Sequence, residues 1–321
     1  RVARLVWERF GDVPNYVEAF CGSGAVLLGR PDAHSWWNRT ETVNDLDGMI
    51  ANFWRATQAD PEAVAHWADW PVNENDLTAR HIWLVNRKAE LQAQLEGDPD
   101  WYDAKAAGWW LWGICAWIGS GWCSGHGPWQ SVDGKMTNVG NGQGMKRQRP
   151  DLRDAGMGIN RKLDGQSGDG LCAAWSEHLA AMMGGLRNRL RRVRVCCGDW
   201  SRVCGFSPTE ALALTGVFLD PPYSHAEREG GLYAVEMATP DAVRTWALQR
   251  GDSPLMRIAL CGYEGEHNMP PNWTAFRWKA HGGYGSQGDQ DGRGRANSER
   301  EVVWFSPHCL QPTMQPRLFA V

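Results

Sequence analysis

The spacing of hydrophobic and polar residues predicts strands that alternate with helices along most of the chain. Strands are predicted at residues 15–19, 41–43, 193–197, 216–219, 257–261 and 301–305. Helices are predicted at residues 2–10, 81–95, 108–118 and 173–191, and a further helical stretch opens at residue 52. This alternation is typical of an α/β fold with a largely parallel sheet.

The pattern breaks at residues 119–170, which contain 13 glycines and few aliphatic side chains. Irregular segments of this length are uncommon in compact enzymes and are usually functional or disordered. A second glycine-rich stretch covers residues 282–294. We therefore expect residues 1–56 and 171–321 to form the two parts of one core, with residues 57–170 inserted between them.

Charge separates along the chain in the same region. The whole sequence has 33 Lys and Arg against 37 Asp and Glu, a net charge of −4, which does not by itself indicate a nucleic-acid-binding protein. Residues 133–194, however, hold 12 basic and 6 acidic residues, a local charge of +6. The asymmetry favours an anion-binding region on an acidic body, and a solvated surface is the simpler alternative.

Cysteine usage and hydropathy exclude several classes of protein. Nine cysteines without a CxxC pair argue against a zinc ribbon or a disulfide framework, and no His, Cys and Asp set has metal-ligand spacing. The longest apolar stretch, residues 109–118, is shorter than the about 20 residues that a bilayer requires. We expect reduced thiols, no metal, no membrane association and a cytoplasmic location.

The tetrapeptide Asp220-Pro221-Pro222-Tyr223 directly follows the predicted strand 216–219. The two prolines stiffen the turn, while the Asp220 carboxylate and the Pro221 carbonyl supply hydrogen-bond acceptors. The ring of Tyr223 can stack on a planar group. Together they form a slot for an amine on a flat heterocycle, as enzymes that modify a base outside the helix stack require. An ordinary proline-rich turn is the alternative.

A glycine-containing segment, residues 18–24, connects the first predicted strand to a helix. Gly22 and Gly24 allow the backbone to approach a bound ligand closely. The third glycine of the dinucleotide-binding fingerprint is missing, because Leu27 stands in its place.

Acidic residues follow two further predicted strands. Asp45 lies about 20 residues beyond the glycines, where a carboxylate accepts hydrogen bonds from ribose hydroxyls. Asp47 either shares this role or caps the following helix. Gly198, Asp199 and Trp200 follow the strand 193–197, and a simple strand-end turn is the alternative to a binding role.

In this order the motifs resemble those of the N6-adenine DNA methyltransferases of the Dam-like group in bacteria and phages. Asp220 to Tyr223 matches the catalytic tetrapeptide of that family. Residues 18–24 resemble its cofactor motif, EPFxGxG, with Ala19 in place of proline. The resemblance covers residues 2–55 and 171–305.

The resemblance implies a Rossmann-like, seven-stranded, mostly parallel sheet with helices on both faces and an inserted helical and loop-rich target-recognition domain. It implies methyl transfer from S-adenosylmethionine to N6 of a flipped adenine in a specific sequence of double-stranded DNA. The implied catalytic residues are Asp220, Pro221, Pro222 and Tyr223. The implied cofactor-binding residues are Glu18, Phe20, Cys21, Gly22, Gly24, Asp45, Asp199, Trp200 and Asp220, with Asp199 and Trp200 on the cofactor's adenine.

The basic residues of the insertion are the expected DNA contacts, since Lys and Arg bind phosphates and base edges. They are Lys135, Lys146, Arg147, Arg149, Arg153, Arg161 and Lys162. Three alternatives stay open from the sequence: methylation of N4 of cytosine, methylation of RNA, and a catalytically silent DNA-binding subunit. A partner from a restriction system is compatible with any of them.

Overall fold

The computed structural model describes residues 2–31, 39–117, 122–123, 129–132, 135–138, 170–222, 234–278 and 301–311. The chain divides into two compact units. The first combines Arg1–Asn44, Asp199–Lys279 and Glu299–Val321, and the second combines Asp45–Gly198 and Ala280–Ser298. The first unit is thus assembled from three separate stretches of sequence. The division of the core at residues 56 and 170 stays a prediction.

The strands agree with those expected from the hydrophobic pattern, with three additions. They are β1 (Asn15–Glu18), β2 (Thr40–Asp45), β3 (Trp129–Val132), β4 (Lys135–Asn138), β5 (Val193–Cys197), β6 (Thr215–Leu219), β7 (Met256–Tyr263), β8 (Thr274–Arg277) and β9 (Glu301–Phe305). The helices are α1 (Val2–Phe10), α2 (Ala25–Leu28), α3 (Gly48–Ala59), α4 (Pro61–Ala68), α5 (Glu74–Gly97), α6 (Ala104–Ala116), α7 (Gly170–Leu190) and α8 (Ala234–Arg250). The hydrophobic pattern did not indicate β3, β4 or β8.

Seven strands form one sheet in the order β5-β2-β1-β6-β7-β9-β8, and β3 pairs with β4 separately. β1 is parallel to β2 and β6, and β6 is parallel to β7. β9, however, is antiparallel to both β7 and β8. The sheet is therefore mixed, which corrects the expectation of a mostly parallel sheet. The apolar residues of β9 indicate that the strand is buried but not whether it runs parallel or antiparallel to its neighbours. The sequence pattern therefore could not indicate the antiparallel orientation of β9. The α/β architecture is consistent with a Rossmann-like fold.

The centre of the sheet is its most deeply buried part. Every residue of β1 and β6 is buried, as is typical of strands without a solvent-facing side. Gly216 makes room for Phe10 of α1, whose ring would lie 2.8 Å from an added Cβ. Trp7 packs on Tyr16 with ring centroids 4.8 Å apart. α1 therefore covers the face of the sheet on which Tyr16 and Gly216 pair.

The helices of the second unit begin at side-chain caps. Asp60, Asn73 and Asp103 each accept a hydrogen bond from the backbone amide three residues later, at 2.8–3.0 Å. Such caps satisfy amides that lack a partner within the helix. They explain why α5 and α6 begin several residues before the predicted positions. No helix in the described ranges combines the length and the apolar character that spanning a bilayer requires.

Tryptophan rings surround a buried cation in the second unit. The guanidinium of Arg80 lies 4.3 Å from the ring centroid of Trp112, 4.9 Å from that of Trp109 and 5.2 Å from that of Trp70. Arg80 is buried, and desolvation lowers its pKa. The three ring faces offset part of the cost of burying the charge. Trp112 is fully buried, whereas Trp70 is half exposed.

Gly108 lets α6 approach α4 closely, since an added Cβ would lie 2.7 Å from the carbonyl oxygen of Val64 and 2.4 Å from the Cβ of Trp67. We expect Gly108→Ala to lower the free energy of unfolding by about 2 kcal/mol, because overpacking forces the backbone to move. Urea denaturation measures this. The matched control is Gly185→Ala in α7, where an added Cβ meets no described atom within 4 Å. The control should raise stability by about 0.5–1 kcal/mol. A change of the same sign in both variants would contradict the close packing of α4 and α6.

Candidate functional site

The segment after β1 is held from both sides by the ends of the neighbouring strands. The amide of Ala19 donates to the carbonyl of Phe218 at 3.3 Å, and the amide of Cys21 donates to the carbonyl of Asn44 at 2.9 Å. The side chain of Asn44 donates back to the carbonyl of Ala19 at 3.1 Å. The loop is thereby fixed at the carboxyl ends of β2, β1 and β6.

Gly22 and Gly24 give this loop its shape. Their φ angles are +47° and +62°, in the left-handed region that favours glycine. Gly24 immediately precedes α2, and Phe20 and Cys21 complete the turn between β1 and the glycines. A Cβ added at Gly22 would meet no described atom within 4 Å. The loop therefore presents bare backbone beside open space, as close contact with a ligand requires.

Glu18 lies beneath the loop, where only 2% of it is exposed. Its Oε2 accepts hydrogen bonds from the hydroxyl of Tyr16 at 2.8 Å and from the amide of Leu27 at 2.9 Å. Burial raises the pKa of Glu18 to about 8, and the charge of Asp220 acts in the same direction. Glu18 thus supports the loop from within the core. No pattern in the sequence indicated the contribution of Tyr16.

Asp220 and Pro221 follow β6 at the same edge of the sheet. Asp220 is exposed, Pro221 is buried and Pro222 is exposed. Phe218 of β6 pairs with Glu18, so these two side chains share a face, and continued alternation past Leu219 places Asp220 on that face. The charge of Asp220 raises the pKa of Glu18, which agrees with this placement. Two motifs that are far apart in the sequence therefore converge where β1 and β6 end side by side.

Trp200 and Phe20 form an aromatic pair near the glycine loop. Their rings are stacked at 28°, with centroids 6.3 Å apart. Trp246 of α8 meets the ring of Trp200 edge-on, with centroids 6.2 Å apart. Asp199 is exposed, and its Oδ1 accepts from the amide of Ser201 at 2.9 Å at the start of a short 3-10 turn. Trp246 was not predicted as a site residue, because a single tryptophan on a helix belongs to no recognisable sequence motif.

Asp45 is the last residue of β2, and it belongs to the second unit. Its carboxylate accepts from the amide of Asp47 at 2.9 Å, and its carbonyl accepts from the amide of Gly198 at 3.0 Å. Of the two expectations for Asp47, the helix cap is confirmed. Its carboxylate accepts from the amide of Met49 at 2.9 Å and lies 3.3 Å from Nζ of Lys88.

Several of the residues expected from the sequence lie outside the described ranges. They are Tyr223, Lys146, Arg147, Arg149, Arg153, Arg161 and Lys162. Lys135 is the first residue of β4. Within the described ranges, no group of three or more His, Cys, Asp or Glu side chains is arranged to hold a metal ion.

Comparison with known proteins identifies no relative from which the role of this site could be inferred. No protein-family model matches this chain, and no curated protein matches it. The site combines bare glycine backbone, an exposed carboxylate on a proline-stiffened turn and a pair of stacked rings. Such a set suits a ligand with a flat aromatic part, hydroxyl groups and a positive or developing positive charge.

Proposed function

We propose that this chain is a DNA methyltransferase that transfers a methyl group from S-adenosylmethionine to N6 of adenine. The observation that carries the proposal is the position of two motifs. The glycine loop ends β1, and Asp220 follows β6, its parallel neighbour. From β1 the chain continues to β2 on one side, whereas β6 and β7 lie on the other, so the strand order reverses between β1 and β6. Open α/β sheets bind ligands at the carboxyl ends of strands at such a point.

The residues around the loop fit this cofactor. The backbone at Gly22, where an added Cβ would meet no described atom, would contact the methionine part, and the rings of Phe20 and Trp200 would offer an aromatic surface for adenine. Asp45, which the resemblance implies as the ribose ligand, lies in the second unit, and that role stays a prediction. When bound, S-adenosylmethionine supplies a methyl group that its sulfonium makes electrophilic. The carboxylate of Asp220 then adds negative potential on the side of the site where positive charge must be held.

Asp220 and Pro221 are the proposed partners of the target amine. The Asp220 carboxylate and the Pro221 carbonyl accept its two hydrogens and so orient the nitrogen lone pair. These hydrogen bonds become stronger as positive charge develops on the amine, which lowers the barrier. The turn is rigid because Pro221 is buried and both prolines fix their φ angles. Positioning thus supplies much of the rate without a covalent enzyme intermediate.

The proposed macromolecular substrate is double-stranded DNA, from which the target base must leave the stack. The excess of basic residues between positions 133 and 194, 12 against 6 acidic, supplies the phosphate contacts in this proposal. Affinity for DNA should therefore fall steeply as salt concentration rises, because each neutralised phosphate releases counterions.

The decisive experiment is methyl transfer from isotopically labelled S-adenosylmethionine to unmethylated duplex DNA, followed by mass spectrometry of the nucleosides. N6-methyladenine is the expected product, and DNA already methylated at N6 serves as the negative control. If N4-methylcytosine is the product, the methyltransferase assignment stands, but the assignment of adenine as the target base is wrong. Methyl transfer to RNA but not to DNA would contradict the assignment of DNA as the substrate. Bound cofactor without any product would indicate a silent subunit.

A further inference from the structure

A second carboxyl group, that of Glu301, belongs to the same face of the sheet as Asp220. Paired residues on neighbouring strands share a face, and successive residues alternate between faces. Phe218 pairs with Ala259 of β7, and Asp220 lies two residues beyond Phe218. Tyr263 lies four residues beyond Ala259 and pairs with Glu301. All these separations are even. Asp220 directly follows the last residue of β6, and continued alternation places it on the side of Glu301, at the edge where β6 ends.

The groups that face Glu301 come from three strands. Asp220 follows β6, Cys261 and Tyr263 stand on β7, and Glu18 of β1 lies further along the same face. From β8, Arg277 pairs with Val302 and therefore projects from the opposite face. Near Glu301 the ionisable side chains that the register assigns to this face are acids, a phenol and a thiol. The cations on this face lie at the far end of the strands, where Arg257 of β7 donates to the carbonyl of Phe10 and Arg9 of α1 lies over the ring of Phe305.

The electrostatics agree with the register. Partial burial raises the pKa of Glu301 to about 7, and the charge of Asp220 contributes in the same direction. Burial raises the pKa of the Cys261 thiol well above its usual value, and Asp220, Glu301 and Glu18 all add to that effect. Glu301 therefore changes its charge near neutral pH within reach of the field of Asp220.

We propose that Glu301 is a positioning residue for methyl transfer, acting through Asp220. This inference rests on the proposed function. The amine nitrogen forms a bond to the methyl carbon, the carbon–sulfur bond breaks with its electron pair left on sulfur, and the amine then passes one proton to Asp220 and onward to water. Ionised Glu301 increases the negative potential at Asp220. That potential stabilises the transition state, in which the amine is becoming positive, more than the neutral substrate.

The test measures single-turnover methyl transfer to duplex DNA between pH 6 and pH 8.5 with the full-length chain and its Glu301→Gln variant. We expect the wild-type rate to rise about tenfold through neutral pH as Glu301 ionises. The Glu301→Gln rate should stay near the wild-type value at pH 6, with KM for the cofactor unchanged. Glu301→Asp, which keeps the charge, should restore the rise. Glu8→Gln, an exposed change on α1, is the matched control and should behave as wild type.

A second measurement keeps the proposal testable if Glu301→Gln fails to fold. Carbon NMR of chains labelled at the glutamate carboxyl carbon follows the titration of Glu301 directly, in wild type and in Asp220→Asn. The midpoint should fall by about one pH unit when the charge of Asp220 is removed. An unchanged midpoint, or a Glu301→Gln profile identical to that of wild type, overturns the role of Glu301 and leaves the methyltransferase proposal intact. If the wild-type chain methylates no DNA, the proposed function itself fails and this role falls with it.

Discussion

Replacing Asp220 with alanine is expected to slow methyl transfer by at least about a hundredfold, while cofactor affinity changes little. The reason is that the hydrogen bond from the amine to the carboxylate becomes stronger as positive charge develops on the amine, and removal of one preorganised partner of this kind costs roughly 10²–10³ in kcat. The ring of Phe20 stacks on Trp200, and the amides of Ala19 and Cys21 donate to the carbonyls of Phe218 and Asn44, so these contacts persist in the variant. Single-turnover rates give the loss in chemistry, and calorimetric titration with S-adenosylmethionine gives the affinity.

Two further variants isolate the charge of Asp220. Asp220→Asn keeps the shape and one acceptor and should retain more activity than the alanine variant. Asp252→Ala removes an exposed carboxylate elsewhere in the same unit and should leave the rate unchanged. An Asp220→Ala enzyme that methylates DNA at the wild-type rate would remove the basis of the proposed mechanism.

The second large effect concerns the stability of the fold and the burial of Glu18. Its pKa is raised from 4.5 to about 8 in the folded chain, chiefly by burial. A raised pKa means that the folded state holds the proton more tightly than the unfolded state does. The contribution to stability is therefore complete below about pH 4.5 and is lost as the pH rises to about 8.

The Glu18→Gln variant should reveal this loss as a difference from wild type. Glutamine keeps the size of the side chain but cannot ionise, so its stability lacks this dependence on pH. Relative to wild type, the variant should gain about 1.4 kcal/mol per pH unit between pH 5 and pH 8 and then level off. Urea denaturation followed by tryptophan fluorescence at several pH values measures the difference. The exposed Glu8→Gln variant should show no such trend. A constant difference for Glu18→Gln at all pH values would mean that Glu18 ionises normally.

Much of the architecture could be predicted from the sequence because its signals are local. An apolar run that ends in a glycine or an acidic residue marks a strand end, and β1, β5 and β6 follow this rule. β8 has no such signal, since three of its four residues are exposed and its pattern does not alternate. β3 and β4 occur in a segment whose glycines predict a loop. A strand that forms only because it pairs with another strand in the folded chain cannot be predicted from residue propensities or from hydrophobic periodicity.

The site was predictable only in part, for the same reason. Asp220 and Gly22 are embedded in recognisable motifs, whereas Glu301 and Trp246 become relevant only through register and packing. Glu301 opens an apolar strand and looks like an ordinary polar boundary residue. Its relation to Asp220 depends on two strand pairings, one parallel and one antiparallel. No pattern within a short window of sequence contains that information.

The discontinuity of the first unit has a consequence for the order in which the chain can fold during synthesis. β1 pairs with β6, and Asn15 is 200 residues from Thr215, to which its side chain donates a hydrogen bond. A ribosome must therefore complete nearly all of the second unit before β1 can meet this partner. The second unit consists mainly of helices, and α3 to α6, which follow one another in the sequence and pack together, can form while synthesis continues. During that interval the strand Asn15–Glu18, which is buried in the folded chain, lacks this neighbour and exposes apolar surface that is prone to aggregate.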